Sequence, residues 1–214
     1  IGEDWKRLSV RSHQKFGEVK LEVKNLKRKG VLHNISFDIR SGEILGIAGL
    51  LGSGRTELVR AIFGVDPIDR GEIIVGNRTV TKPSPILMKT LGLGMTPEDR
   101  KLQGFIPVFS VMKNLTLASL NRISENGILK PKQERIIAEK MVREIDIKTS
   151  GLEVETDTLS GGNQQKVVIG NWLNTLPDVL IMDEPTRGID IHAKEQIFSI
   201  MRSCLLYTSD AADE

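Results

Sequence analysis

Leu159 to Glu184 reads LSGGNQQKVVIGNWLNTLPDVLIMDE, and its two halves call for different backbones. The first, SGGNQQKVVIGNWLNTL, is expected to be a helix with Ser160 placed to cap it. The second, DVLIMDE, is an unbroken apolar run closed by two carboxylates, which is how a strand buried on both faces is written. A helix followed within a few residues by such a strand points to an α/β fold with a parallel core.

The same alternation continues outward. EILGIAG places Ile44, Leu45 and Ile47 among small residues and reads as another strand buried on both sides, followed by a loop and a helix over Thr56 to Phe63. GEIIVGN and GLGMT are short strands between turns. Pro131 opens a long amphipathic helix, PKQERIIAEKMVREIDI, in which Ile137, Met141 and Ile145 recur every four residues. Nearer the start, Val19, Leu21 and Val23 alternate with Lys20, Glu22 and Lys24. Ile35, Phe37 and Ile39 alternate with Ser36, Asp38 and Arg40. Both are period-two strands, expected to form an antiparallel sheet with one wet face.

With 214 residues, 39% hydrophobic and 27% charged, the chain can bury a sizeable core. Its 30 basic and 28 acidic residues are interspersed, and no long basic stripe marks a nucleic-acid surface. The local cluster of Lys20, Lys24, Lys27, Arg28 and Lys29 reads as a solvated strand face. A single cysteine, Cys204, excludes an intrachain disulfide. No apolar run approaches the ~20 residues that span a bilayer, so a membrane role would have to come through a partner. Ile1 to Gly17 is polar and weakly periodic, as an interdomain linker is. AKEQIFSIMRS reads as a helix, and residues 204–214 as a non-native tail on a C-terminal part that is cut short.

Three stretches carry chemistry. IAGLLGSGRTELVRAIFG, Ile47 to Gly64, sets Gly49, Gly52, Ser53 and Gly54 in a loop between strand and helix, where backbone N–H groups and the helix end can cradle phosphate. Thr56 stands where a hydroxyl binds Mg²⁺, and Arg55 where the pattern G-x-x-x-x-G-K-[ST] asks for lysine. Arginine keeps the charge but replaces a compact ammonium with a wide planar fork. Alone, this loop could equally be a tight structural turn. Asp183 and Glu184 end their strand on opposite faces, so one could hold Mg²⁺ and the other orient or deprotonate a water; they could equally be a strand ending at a solvent edge. LSGGNQQ adds a second anion-binding helix N-terminus, at Ser160, Gly161 and Gly162.

Together these resemble the ATP-binding cassette family, in which LSGG is the signature and the order loop, signature, then apolar strand with DE is characteristic. GID, Gly188 to Asp190, matches the family's next loop, which crosses the dimer interface. NQQK and TPEDRKLQGF look like the second, C-terminal cassette of importers of the ribose, galactose and xylose type, with Glu98 where glutamine is usual. The resemblance covers about Val19 to Ser203. It implies a P-loop NTPase (RecA-like) parallel core, an antiparallel β subdomain and a helical subdomain at about 99–175, all within 18–203, after a linker at 1–17. ATP and Mg²⁺ are the implied cofactors: Thr56 and Asp183 hold the metal, Glu184 is catalytic, and Gly49, Gly52, Ser53, Gly54, Arg55, Thr56, Glu98, Ser160, Gly161, Gly162, Gln164 and Asp190 contact nucleotide. The family usually stacks the adenine on an aromatic residue, and none lies between Lys24 and Leu32.

The implied partners are an N-terminal cassette of the same polypeptide, transmembrane permease subunits and, indirectly, a periplasmic or surface sugar-binding protein, with no nucleic acid. The implied location is the cytoplasmic face of the inner membrane. Two cassettes of the family close head to tail, so each nucleotide lies between the loop of one and the signature of the other. The competent site would then use this chain's signature and the other cassette's loop. Two alternatives remain: a docking half that grips nucleotide without hydrolysing it, and a soluble tandem-cassette ATPase such as a translation factor. A DNA-repair cassette is disfavoured, since the roughly 100 residues between loop and signature hold no sustained heptads.

Overall fold

The computed structural model describes residues 16–50 and 52–210, the side chains as far as 205. The linker expected over 1–17 therefore lies almost wholly outside the described residues. Of the expected tail, residues 204–210 continue the last helix and 211–214 lie outside.

The period-two segments form β1 (Val19–Arg28) and β2 (Leu32–Arg40), joined by a tight turn in which Gly30 takes a left-handed φ of 75°. Next comes α1 (Arg55–Phe63), capped at both ends by left-handed glycines, Gly54 and Gly64. A side chain on Gly64 would meet the Pro83–Ser84 backbone at 2.4 Å, so this turn requires glycine twice over. β3 (Arg70–Val75) and β4 (Arg78–Val80) complete a four-stranded antiparallel sheet in the order β2-β1-β3-β4. Its inner face carries Leu21, Val23, Ile73 and Val80 onto α1, while Lys20–Glu18 and Lys24–Glu22 ion pairs line the wet face. The expected antiparallel subdomain is thus present.

The chain continues through α2 (Pro85–Thr90), capped by Ser84, into the fully buried β5 (Leu93–Thr96). A π-turn at Arg100–Gly104 leads to α3 (Val111–Thr116), a 3₁₀ stretch at Leu117–Arg122, and the small hairpin β6 (Ser124–Glu125) and β7 (Ile128–Leu129). Then follow α4 (Pro131–Glu144), α5 (Gly161–Leu173), β8 (Val179–Met182) and α6 (Ile191–Asp210). β5 and β8 pair in parallel, Leu93 opposite Val179. Val111, Leu115, Ala138, Met141, Val167 and Ile197 form a second core among α3, α4, α5 and α6. Trp172 of α5 meets Phe63 of α1 edge-on at 5.4 Å and packs against the first core.

The structure corrects two expectations. Glu43 to Leu50 is not a strand, and Ile44, Leu45 and Ile47 are 49%, 39% and 41% exposed. β8 is half-buried beyond Val179 rather than covered on both faces. The reason is shared. Among the described residues, β8 pairs only with β5, and a cavity of about 950 Å³ separates its other edge from Ile44, Leu45 and Ile47. Without a ladder partner, an apolar sequence does not acquire strand geometry by itself.

Candidate nucleotide site

The loop before α1 turns through Gly52 and Gly54, both at left-handed φ (79° and 86°), which only glycine adopts without strain. A Cβ on Gly54 would also sit 3.2 Å from the Val31 carbonyl oxygen. The loop thus delivers Arg55 and Thr56 to the first turn of α1, where the unpaired amides and the helix dipole favour an anion. Gly49 and Ser53 lie on the exposed side of this loop, with the Ser53 amide donating to the Leu50 carbonyl at 3.1 Å.

Thr56 is the hub of a polar cluster at the end of β5 and β8. Its Oγ1 donates to Glu98 Oε2 at 3.3 Å, and the Asp183 carboxylate lines the same small cavity. Asp183 is 6% exposed, and its Oδ2 has no hydrogen-bond partner. Burial pushes its carboxyl above the ordinary carboxylate range, against the downward pull of the neighbouring Thr56 hydroxyl. A cavity of about 70 Å³, lined by Thr56, Glu98 and Asp183, opens beside them. An orphaned buried carboxylate oxygen next to a hydroxyl fits a hard cation such as Mg²⁺, which takes one or two protein oxygens and fills its shell with water and phosphate. Among the described residues no group of three or more His, Cys, Asp or Glu side chains could form a dedicated metal cage, and Mg²⁺ needs none.

Glu184 sits one residue further on with a left-handed φ of 46°. It meets the Arg55 guanidinium at 3.1 Å. The residue standing at the lysine position is therefore engaged with the carboxylate expected to be catalytic. Asp190 caps α6, accepting from the Ala193 amide at 2.9 Å, and that bond holds its carboxyl below its ordinary range.

The signature residues fall at the start of α5. Ser160 holds the N-cap position, yet its hydroxyl accepts from the Asn163 side chain at 2.9 Å and makes no backbone cap. This differs from the expected cap and leaves the first-turn amides without a side-chain acceptor. Gln164 is 3% exposed and donates inward to the carbonyls of Asp157 and Leu159, bracing the loop that precedes the helix. Gly162 is needed for packing, since an added Cβ would lie 2.6 Å from Ala193 Cβ, while at Gly161 an added Cβ would lie 2.8 Å from the Arg100 guanidinium and push it aside.

Two arginines absent from the sequence reading complete the site. Arg187 pairs through its side chain with Glu98, and Arg100 donates to the carbonyls of Arg187 at 2.8 Å and Gly188 at 3.2 Å. Arg100 lay inside the quoted TPEDRKLQGF and Arg187 just before GID, but their partners are almost 90 residues away in the chain, and no spacing rule reaches that far.

A family model described as ABC transporter matches residues 32–187. The ribose import ATP-binding protein RbsA of Oceanobacillus iheyensis is 47% identical over 87% of this chain and 38% of its own length. The ribose import ATP-binding protein RbsA 1 of Rubrobacter xylanophilus is 46% identical over 94% of this chain and 40% of its own. The chain thus spans about two fifths of these curated relatives. Among solved structures, a nucleotide-free ATP-binding cassette from an ABC transporter superposes with a TM-score of 0.73 at 22% identity, covering 89% of this chain and 78% of the other. The ATP-binding cassette MJ0796, a dimer bound to ADP and Pi, gives 0.72 at 22%, covering 86% and 82%. At that identity, the likeness is one of fold.

Proposed function

The chain belongs to the ABC transporter family, and from that premise we propose that it is the ATP-binding and hydrolysing cassette of a monosaccharide importer of the ribose type. In this reading it is the second of two cassettes in one polypeptide, and it drives permease subunits from the cytoplasmic face of the membrane. No helix among the described residues is long and apolar enough to cross a membrane, so the path for sugar would belong to those subunits. A sugar-binding protein would deliver substrate from outside.

The observation that carries the reading is the convergence of Thr56, Glu98 and the orphaned Asp183 Oδ2 beside the N-terminus of α1. The α1 amides bind the phosphates, Thr56 and Asp183 hold Mg²⁺, and Glu98 fixes the Thr56 hydroxyl. Bound Mg²⁺ would supply charge neutralisation at the outer phosphate oxygens. Glu184 is the group able to orient a water or take its proton, but Arg55 occupies it. That ion pair supports the reading that this chain's own loop serves the weaker of two shared sites. Ser160, Gly161 and Gly162 would serve the competent one, opposite the other cassette's loop. The same pair also favours a second reading, a half that binds nucleotide and never hydrolyses it.

Calorimetric titration of the full-length protein with ATP, with and without Mg²⁺, tests the site. Mg²⁺ should tighten binding at both sites, and Thr56→Ala should remove that gain at the weaker site and leave it at the other. Binding indifferent to both would sink the assignment. Uptake of labelled monosaccharides by liposomes holding the protein and its permease tests the transport reading.

A further inference from the structure

Arg100 stands where three parts of the site meet. It opens the π-turn Arg100–Gly104, whose Asp99 carboxylate accepts from the amides of Lys101 and Leu102. Gly104 seats that turn on α5, since a side chain there would lie 2.9 Å from Val168. From this base the guanidinium crosses the start of α5, close over Gly161, and forks onto the carbonyls of Arg187 and Gly188. Its Nε is buried and unpartnered, so both bonds come from the two terminal nitrogens. Arg187 is held at both ends, its carbonyl by Arg100 and its side chain by Glu98. The Arg187 amide in turn donates to the Glu184 carbonyl at 3.0 Å.

We propose that Arg100 is a positioning residue that straps the Glu184–Asp190 loop to the N-terminus of the signature helix. The loop that carries Glu184 and Asp190 and the helix end that carries Ser160 to Gly162 then move as one body. A planar fork suits this task because two adjacent carbonyls need two donors in fixed geometry, which an ammonium does not supply. The strap also gives Gly161 a reason: a methyl group there displaces the guanidinium. The proposal rests on the cassette reading above only for its consequence in catalysis; the strap itself is a statement about this chain's own loops.

The test uses the full-length protein with its permease, and the variants Arg100→Ala, Arg100→Lys, Gly161→Ala and the double Arg100→Ala/Gly161→Ala. Hydrogen exchange in the peptide covering 184–190 should accelerate by about tenfold in Arg100→Ala, as expected when a loop loses two hydrogen bonds. ATPase kcat should fall by about tenfold or more with the KM for Mg·ATP held within about twofold, because positioning is lost and nucleotide contact is not. Arg100→Lys should recover part of kcat. Gly161→Ala should harm the wild-type background and add little to Arg100→Ala, since both act on one contact. Unchanged exchange at 184–190, a KM that rises while kcat stays, or a Gly161→Ala defect of equal size in both backgrounds would each overturn the proposal. A wild-type protein without ATPase activity would overturn the cassette reading instead, while exchange and the double variant still decide the role of Arg100.

Discussion

At the scale of single residues, the Arg55–Glu184 pair decides what the loop can do. A guanidinium 3.1 Å from the carboxylate commits the two groups to each other, in a pair that stays partly open to solvent. If this loop serves the weaker site, Arg55→Ala should change ATP turnover of the full-length transporter by no more than about twofold, and Arg55→Lys should raise Mg·ATP affinity by returning a compact ammonium to the loop. Turnover abolished by Arg55→Ala would mean that arginine does replace lysine and that the two sites are equal. Gly162 makes a contrasting case. From the sequence it belongs to an anion-binding helix N-terminus, but its missing side chain faces Ala193 of α6 at 2.6 Å. Gly162→Ala should therefore cost about 1–3 kcal/mol through overpacking, read from urea unfolding, and Ala193→Gly in the same chain should restore most of it. Failure of that rescue would return Gly162 to the ligand face.

At the scale of elements, α5 is tied to the end of α4 by a buried charge. Lys166 is 2% exposed, and its ammonium donates to the Asp146 carbonyl at 2.6 Å. Burial pushes Lys166 below its ordinary value of 10.5, against a smaller upward pull from the Asp146 carboxylate. The unfolded chain keeps that proton up to about 10.5, so between the lowered folded value and 10.5 it holds more protons than the native state, and stability rises with pH there. Relative to Lys166→Met, the wild-type Tm should be flat at lower pH and gain as pH climbs towards 10.5; a gap that narrows over that range would reverse the assignment. Elements whose signal is local were legible beforehand. β1 and β2 announce themselves by alternation, α1 by its glycines, and α4 by Pro131 and the spacing of Ile137, Met141 and Ile145. Thr56 and Asp183, read from separate contiguous motifs, line one cavity. What the sequence concealed was long-range: the Arg100 fork onto Arg187 and Gly188, the side-chain partner of Ser160, and Ile44 to Ile47, where an apolar run looks identical whether or not a neighbouring strand covers it.

At the scale of the whole molecule, the parallel core is open on one side. The cavity of about 950 Å³ between Glu43–Ile47 and β8 is lined by Ile44, Leu45 and Ile47 on one wall and by Val179, Leu180 and Ile181 on the other. Those walls carry apolar side chains and, on β8, a strand edge that pairs with nothing among the described residues. An edge of this kind in an apolar setting invites pairing with another chain. The 214-residue chain by itself should therefore bind a hydrophobic dye and associate as its concentration rises, whereas the full-length protein should do neither to the same degree. Ile47→Lys supplies the control. It places a charge on the wall of the cavity, and at 41% exposure it need not disturb either packed core, so dye binding and association should both fall while the antiparallel sheet keeps its circular dichroism. A monodisperse chain with one reversible melt and no dye signal would show that the wall is covered in solution, and the open-sided core would have to be given up.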